Sequence, residues 1–171
     1  MKKERQIKGT VQFRETQQFR KPWIGLLLLS PVLVIAGALI FFGYQVKELK
    51  PEEMVILAFI IPLNILFLYF VFIVRFETIV TDEAIYFRWW PVMKKYAWIG
   101  KQDMARVYER RSPFLRVGYK RFSFGYGRVH HAGSPRGLQF VLKSGRKIFI
   151  SSGKLKGFTR AVEQLVPVSK K

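Results

Sequence analysis

The sequence predicts an α+β membrane protein: a two-helix transmembrane hairpin, then a bent antiparallel β-sheet of about seven strands capped by a C-terminal α-helix. Three observations predict it. Two apolar runs without a charged residue occupy 23–44 and 55–74. From Arg75 onward the pattern changes to short alternating stretches separated by turn residues. Near the end, apolar residues return to helical spacing at Leu155, Phe158, Val162 and Leu165.

Residues 1–22 form a basic leader, with Lys2, Lys3, Arg5, Lys8, Arg14, Arg20 and Lys21 against Glu4 and Glu15. Val11, Phe13, Phe19 and Trp23 among those charges suggest a short interfacial segment lying on headgroups, the alternative being an unordered basic leader. The first run, 23–44, reaches roughly 33 Å as a helix, matching a hydrocarbon core of about 30 Å. The second, 55–74, reads the same way, and the short polar loop 45–53 makes the two antiparallel neighbours. The loop carries only Lys47 and Lys50 against three acids, while the basic residues concentrate in 1–22 and after Val74. Both termini are therefore expected in the cytoplasm of an integral inner-membrane protein with two spans, with 75–171 as its cytoplasmic domain. Within the hairpin, Pro31 follows Ser30, and Pro62 precedes Asn64. Ser30 and Asn64 are candidate packing residues, with Asn64 bonding across a helix interface to Ser30 or to a second copy.

In the domain, 75–81 and 84–90 alternate as two strands about a Thr81-Asp82-Glu83 turn, and Pro91 ends the second. Lys94 to Ile99 and Ala105 to Arg110 are further strands, around a turn or single helical turn at Gly100-Lys-Gln-Asp. Arg111 to Lys120 reads as a loop, and 122–131 as a strand bent at Gly125 and Gly127. Leu138, Phe140 and Leu142 face one way, Ser144-Gly145 turns, and Ile148 and Ile150 return as a hairpin. The last helix is expected over Lys154 to Val166, with Ser152 as its N-cap and Pro167 as its stop.

The leader FRETQQFR (13–20), the bend Gly125-Tyr126-Gly127-Arg128, and Arg136-Gly137-Leu138-Gln139 leading into the hairpin with Gly145 carry a resemblance. The chain resembles small bacterial membrane proteins with two N-terminal transmembrane helices and a cytoplasmic bacterial pleckstrin-homology-like (PH-like) domain, a family with no established function. The resemblance implies a bent sheet capped by the last helix, and a protein-interaction or oligomerisation module with no catalytic activity. It does not imply phosphoinositide binding, because the first hairpin loop, Thr81-Asp82-Glu83, is acidic where that site needs cations.

Charge and composition exclude several chemistries. The chain has 30 Lys and Arg against 11 Asp and Glu, a net charge of +19, and no cysteine. Disulfides, thiolate catalysis and Cys-based metal sites are excluded. The charge suits a face near anionic lipid, and nucleic acid is not the expected partner. His130 and His131 are adjacent on a strand, point to opposite faces and make a poor pair of metal ligands. Glu77, Asp82, Glu83, Asp103, Glu109 and Glu163 are scattered over different elements, so no carboxylate pair suggests an enzyme. No cofactor is expected. One basic loop stands out as a candidate contact for anionic lipid: Arg110, Arg111, Arg116, Lys120 and Arg121, interleaved with Phe114, Leu115 and Tyr119. The expected function is a membrane-anchored, non-enzymatic adaptor or assembly module that binds a protein partner or itself. The alternatives are a transporter or channel accessory subunit, or a sensor of anionic headgroups.

Overall fold

The computed structural model describes residues 7–18, 29–30, 33–34, 37, 51–112, 118–123 and 125–169, with backbone alone at 51–58, 60–61 and 118–123. The chain divides into two compact units, Met1–Gln18 with Val74–Lys171, and Phe19–Ile73.

The first unit is built from two sheets and a helix. Strands β1 (Val11–Gln18), β2 (Arg75–Thr81), β3 (Ala84–Trp90) and β4 (Ala97–Gly100) form a four-stranded sheet in that order. After a 3-10 turn at Lys101–Asp103 come β5 (Met104–Arg111), β6 (Gly118–Ser123), β7 (Gly127–His131), β8 (Arg136–Leu142) and β9 (Lys147–Ser151). A helix, Leu155–Glu163, and a short β10 (Val168–Ser169) follow. The second sheet runs β10-β5-β8-β9-β7-β6, with β10 parallel to β5 and β7 parallel to β9.

Alternation explains which residues face inward. On the first sheet Phe76, Val80, Ile85, Phe87 and Trp89 are buried, and on the second Val107, Leu138, Phe140, Ile148 and Ile150 are buried. The two layers meet at His130: Trp89 donates Nε1–H to its Nδ1 at 3.1 Å, with Phe76 stacked on its ring and Phe87 edge-on. The terminal helix presents Phe158 to Phe13 of β1 at 5.5 Å and to Phe140 of β8 at 6.3 Å between ring centroids, and so touches both sheets.

The leader does not lie as an interfacial segment. Its residues 11–18 pair with β2 as strand β1, and Glu15 and Gln17 are buried. The Glu15 carboxylate accepts bonds from Ser152 Oγ at 2.6 Å, Gly153 N–H at 2.9 Å and Lys154 N–H at 3.1 Å. Gln17 Nε2 donates to the Ser151 carbonyl at 2.8 Å. Ser152 is thus not the N-cap. Lys154 holds that position without a side-chain cap of its own, and an acid from the other end of the sequence satisfies the free N–H groups there.

The second unit contains the helix Pro51–Ile73, labelled α1, and the terminal helix Leu155–Glu163 of the first unit is α2. Apart from Asn64 and the Tyr69 hydroxyl the described side chains of α1 are apolar, with Phe59, Leu63, Ile65, Leu66, Phe67, Tyr69, Phe70 and Phe72 exposed, a surface that calls for apolar cover. Leu29, Ser30, Leu33, Val34 and Gly37 are helical, and the rest of 23–44 lies outside the described residues, as does the loop 45–50.

The expected fold class and localisation need correction. Among the described residues no helix is long and apolar enough to cross a membrane. A two-helix transmembrane hairpin over 23–74 is therefore not supported. Neither is an integral two-span inner-membrane protein, and the assignment of cytoplasmic termini, which presupposed two spans, goes with it. The sheet also differs from a single bent antiparallel sheet of seven strands. The leader adds β1, residues 168–169 add β10, and two of the pairings are parallel.

Two outcomes follow from this packing. Glu15→Ala leaves the buried Ser152 hydroxyl and the Gly153 N–H without their acceptor, and should lower stability by about 2–3 kcal/mol, read as a lower urea midpoint at unchanged m-value. His130 is held neutral, its pKa pushed down to about 3, first by burial and then by the Arg128 charge. An unfolded histidine titrates near 6.5, so below that pH the unfolded chain binds the proton that the folded chain refuses. Stability should be full above pH 6.5 and fall by at most about 1.4 kcal/mol per pH unit between pH 6.5 and 3, and His130→Gln should remove that slope from urea midpoints measured across the range.

Candidate functional site: the outer face of the first sheet

The register of the four-stranded sheet places three rows of side chains on the face turned away from the core. Arg14, Ile79, Tyr86 and Trp98 form the first, Thr16, Glu77 and Arg88 the second, and Gln18, Arg75 and Trp90 the third. The composition is unusual for a solvated face, where alternation normally delivers polar residues alone. Ile79, Ala84 and Tyr86 make a small buried cluster here, and Tyr96, in the segment joining β3 to β4, packs on it.

Glu77 organises the middle row. It is buried, its carboxylate accepts bonds from Arg88 Nε at 2.7 Å and the Tyr96 hydroxyl at 2.6 Å, and Arg75 Nε lies 2.8 Å away in an ion pair. Burial by itself raises its pKa. The bonds from Tyr96 and Arg88 and the charges of Arg88 and Arg75 outweigh that and hold the carboxyl below its ordinary value. Tyr96 moves the other way, its phenol pushed up by burial, by the bond to Glu77 and by the carboxylate's charge. Each arginine also lies over an aromatic ring, Arg75 at 4.7 Å from the Trp90 centroid and Arg88 at 4.2 Å from that of Tyr96. Two guanidinium groups are thus fixed in place around one acid, beside Trp98, which is 40% exposed.

Chemically this face offers held cations and aromatic rings to a binding partner. It holds no nucleophile with an adjacent base, and among the described residues no group of three or more His, Cys, Asp or Glu could hold a metal ion. Compared with known proteins, the chain matches no family model, no curated protein and no solved structure.

The residues singled out from the sequence are dispersed. Arg110 and Arg111 lie on β5, whereas Lys120 and Arg121 lie on β6, and three strands separate β5 from β6 in the order of the second sheet. Arg116 lies outside the described residues. Arg110 donates NH1 to the Gly125 carbonyl at 2.8 Å and stacks 3.6 Å from the centroid of Tyr126, whose hydroxyl in turn bonds the Arg111 carbonyl. The glycine pair makes that clamp possible: Gly127 has φ +70°, and a Cβ there would run into the Lys147 carbonyl. Asn64 Oδ1 is buried on α1 without a hydrogen-bond partner, and Ser30 is exposed.

The Glu77 centre was missed because its members come from three segments, and no sequence spacing links Glu77 to Tyr96. The alternation in AIYFRWW did place Tyr86, Arg88 and Trp90 on one face. Coupling between the two acids is measurable. In Glu77→Gln the Tyr96 phenol, followed at 295 nm as the difference from Tyr96→Phe, should ionise at lower pH than in the parent chain, and Arg88→Ala should loosen the Tyr96 segment in hydrogen exchange.

Proposed function

We propose that the sheet domain is a non-enzymatic interaction module, an adaptor or assembly element, and that the outer face of its first sheet is the binding surface. The observation that supports this is the Arg, Trp and Tyr composition of that face, with Arg75 and Arg88 held rigid by the buried Glu77. Tyr, Trp and Arg are the residues that dominate binding energy where proteins meet. An arginine already fixed by an ion pair and a ring loses little freedom on binding, which favours affinity.

Charge selects the partner. Two arginines share one carboxylate, and Arg14 on the first row is exposed, so the face carries surplus positive charge. In a chain of net charge +19, a second copy would be repelled at long range. A protein segment rich in Asp and Glu, with an apolar side chain to lie on Trp98, fits this surface best.

The test is a fluorescence-anisotropy titration of the full-length chain against acidic, neutral and basic peptides of equal length at fixed ionic strength. Acidic peptides should bind, and Trp98→Ala and Arg14→Glu should each weaken them by about tenfold, the effect of losing roughly 1.4 kcal/mol at a central contact. Binding that survives both substitutions, or that single-stranded nucleic acid of matched charge reproduces with the same dependence on Trp98, would overturn the reading.

A further inference from the structure

The second sheet has an outer face of its own, and its chemistry differs from that of the first. Arg106 on β5, Val141 on β8 and Lys147 on β9 stand side by side across three adjacent strands. Tyr108 lies two residues beyond Arg106 on the same strand and therefore on the same face. Together these residues line a cavity of about 310 Å³. The roots of the two cations are two strand spacings apart, about 10 Å, with Val141 between them as a floor. Long side chains rising from those roots can converge on one charged group held above the valine. Arg106 is partly directed already, its guanidinium 5.4 Å from the Tyr108 ring centroid.

Two facts separate this cleft from the general basicity of the surface. The ion pairs among the described residues are Arg75–Glu77 and Arg88–Glu77, so neither Arg106 nor Lys147 is neutralised by a described acid. The acid nearest in register on β5, Glu109, is on the opposite face, where it accepts a bond from Thr159 of α2. Arg110, next on the same face of β5, is engaged by Gly125 and Tyr126 and leaves Arg106 and Lys147 as the available pair.

We propose that this cleft binds a phosphate monoester, with Arg106 and Lys147 taking the phosphoryl oxygens and Tyr108 and Val141 contacting the organic part of the ligand. A guanidinium and an ammonium together match a dianion, Arg as a fork and Lys as a point charge. The volume is at the small end of ligand sites, enough for a phosphoryl group with a short carbon body. This site is independent of the acidic-peptide surface and shares no residue with it. It also differs from the set Arg110, Arg111, Arg116, Lys120 and Arg121, since Arg110 is occupied within the fold.

The phosphoryl group could be carried by a soluble metabolite or by a lipid headgroup, and two arms of one experiment separate them. The full-length chain is titrated with glycerol phosphate by NMR chemical-shift perturbation at constant ionic strength, and in parallel with vesicles containing phosphatidate by co-sedimentation. Saturable binding in at least one arm is expected, weakened at least tenfold in Arg106→Gln and in Lys147→Gln. Arg136→Gln, an exposed cation on another part of β8, should leave it unchanged. Saturation by glycerol phosphate assigns a soluble ligand, and binding confined to vesicles assigns a headgroup. Absence of saturable binding in both arms overturns the proposal, as does equal weakening by Arg136→Gln. Since the variants sit on exposed positions, unchanged circular dichroism and urea midpoints confirm that lost binding is not lost folding.

Discussion

The carboxylate of Glu15 ties the first strand of the domain to its last helix. Without β1 the first sheet would end at β2, whose inner residues Phe76, Thr78 and Val80 would lose a neighbour, and Gly153 N–H and the Ser152 hydroxyl, just before α2, would lose their acceptor. A buried carboxylate is costly unless its lone pairs are filled, and here three donors and the positive end of a helix fill them. Gln17 and Phe13, two residues to either side on the same face, add a bond to Ser151 and a ring against Phe158. The closure joins residues far apart in the sequence, with the whole second unit inserted between β1 and β2. Its loop-closure entropy grows only slowly with the length of that insertion.

The same constraint leaves two sheet faces free to carry function. Once the core is filled between the layers, the outer side of each sheet still carries exposed side chains, Arg14 and Trp98 on the first and Arg106 and Lys147 on the second. On the first, the buried Glu77 gathers Arg75, Arg88 and Tyr96 into a rigid group in which two arginines share one acid. On the second, Arg106 and Lys147 have no such acid among the described residues, and the group is unbalanced. Rigid aromatic surface with held arginines suits a macromolecular contact, and unpaired cations around a small hollow suit a small anion. One domain therefore offers two binding chemistries with no shared residue.

Local structure was legible where a few neighbouring residues decide it. The alternation in RFETIVT and AIYFRWW gives β2 and β3, and Ser144-Gly145 gives the β8–β9 turn, with Gly145 at φ +75°. The stripe of Phe158, Val162 and Leu165 gives the buried side of the last helix. What escaped the sequence was long-range. FRETQQFR also alternates, but its inward positions are Phe13, Glu15 and Gln17, polar enough to read as a solvated leader until their partners 151–154 are known. Ser152 looks like an N-cap for the same reason, since its hydroxyl does bond Lys154 N–H, yet Glu15 does most of the capping. Of the basic set, Arg110 and Arg111 lie on β5 and Lys120 and Arg121 on β6, while the pair that lines a cavity, Arg106 and Lys147, is 41 residues apart in numbering and adjacent only through β8.

Charge distribution carries the argument one step further. A net charge of +19 is not relieved within the chain, and four acids of the domain are already committed to structural tasks. Glu15 is spent on the helix, Glu77 on two arginines and Glu109 on Thr159. Asp82 Oδ1 holds Thr10 N–H beside the β2–β3 turn. Each of these acids therefore has a structural task, and what remains on the surface is overwhelmingly cationic. Such a chain gains stability from any anion that binds its folded form, so ligand and partner serve as the counter-charge that the sequence itself omits.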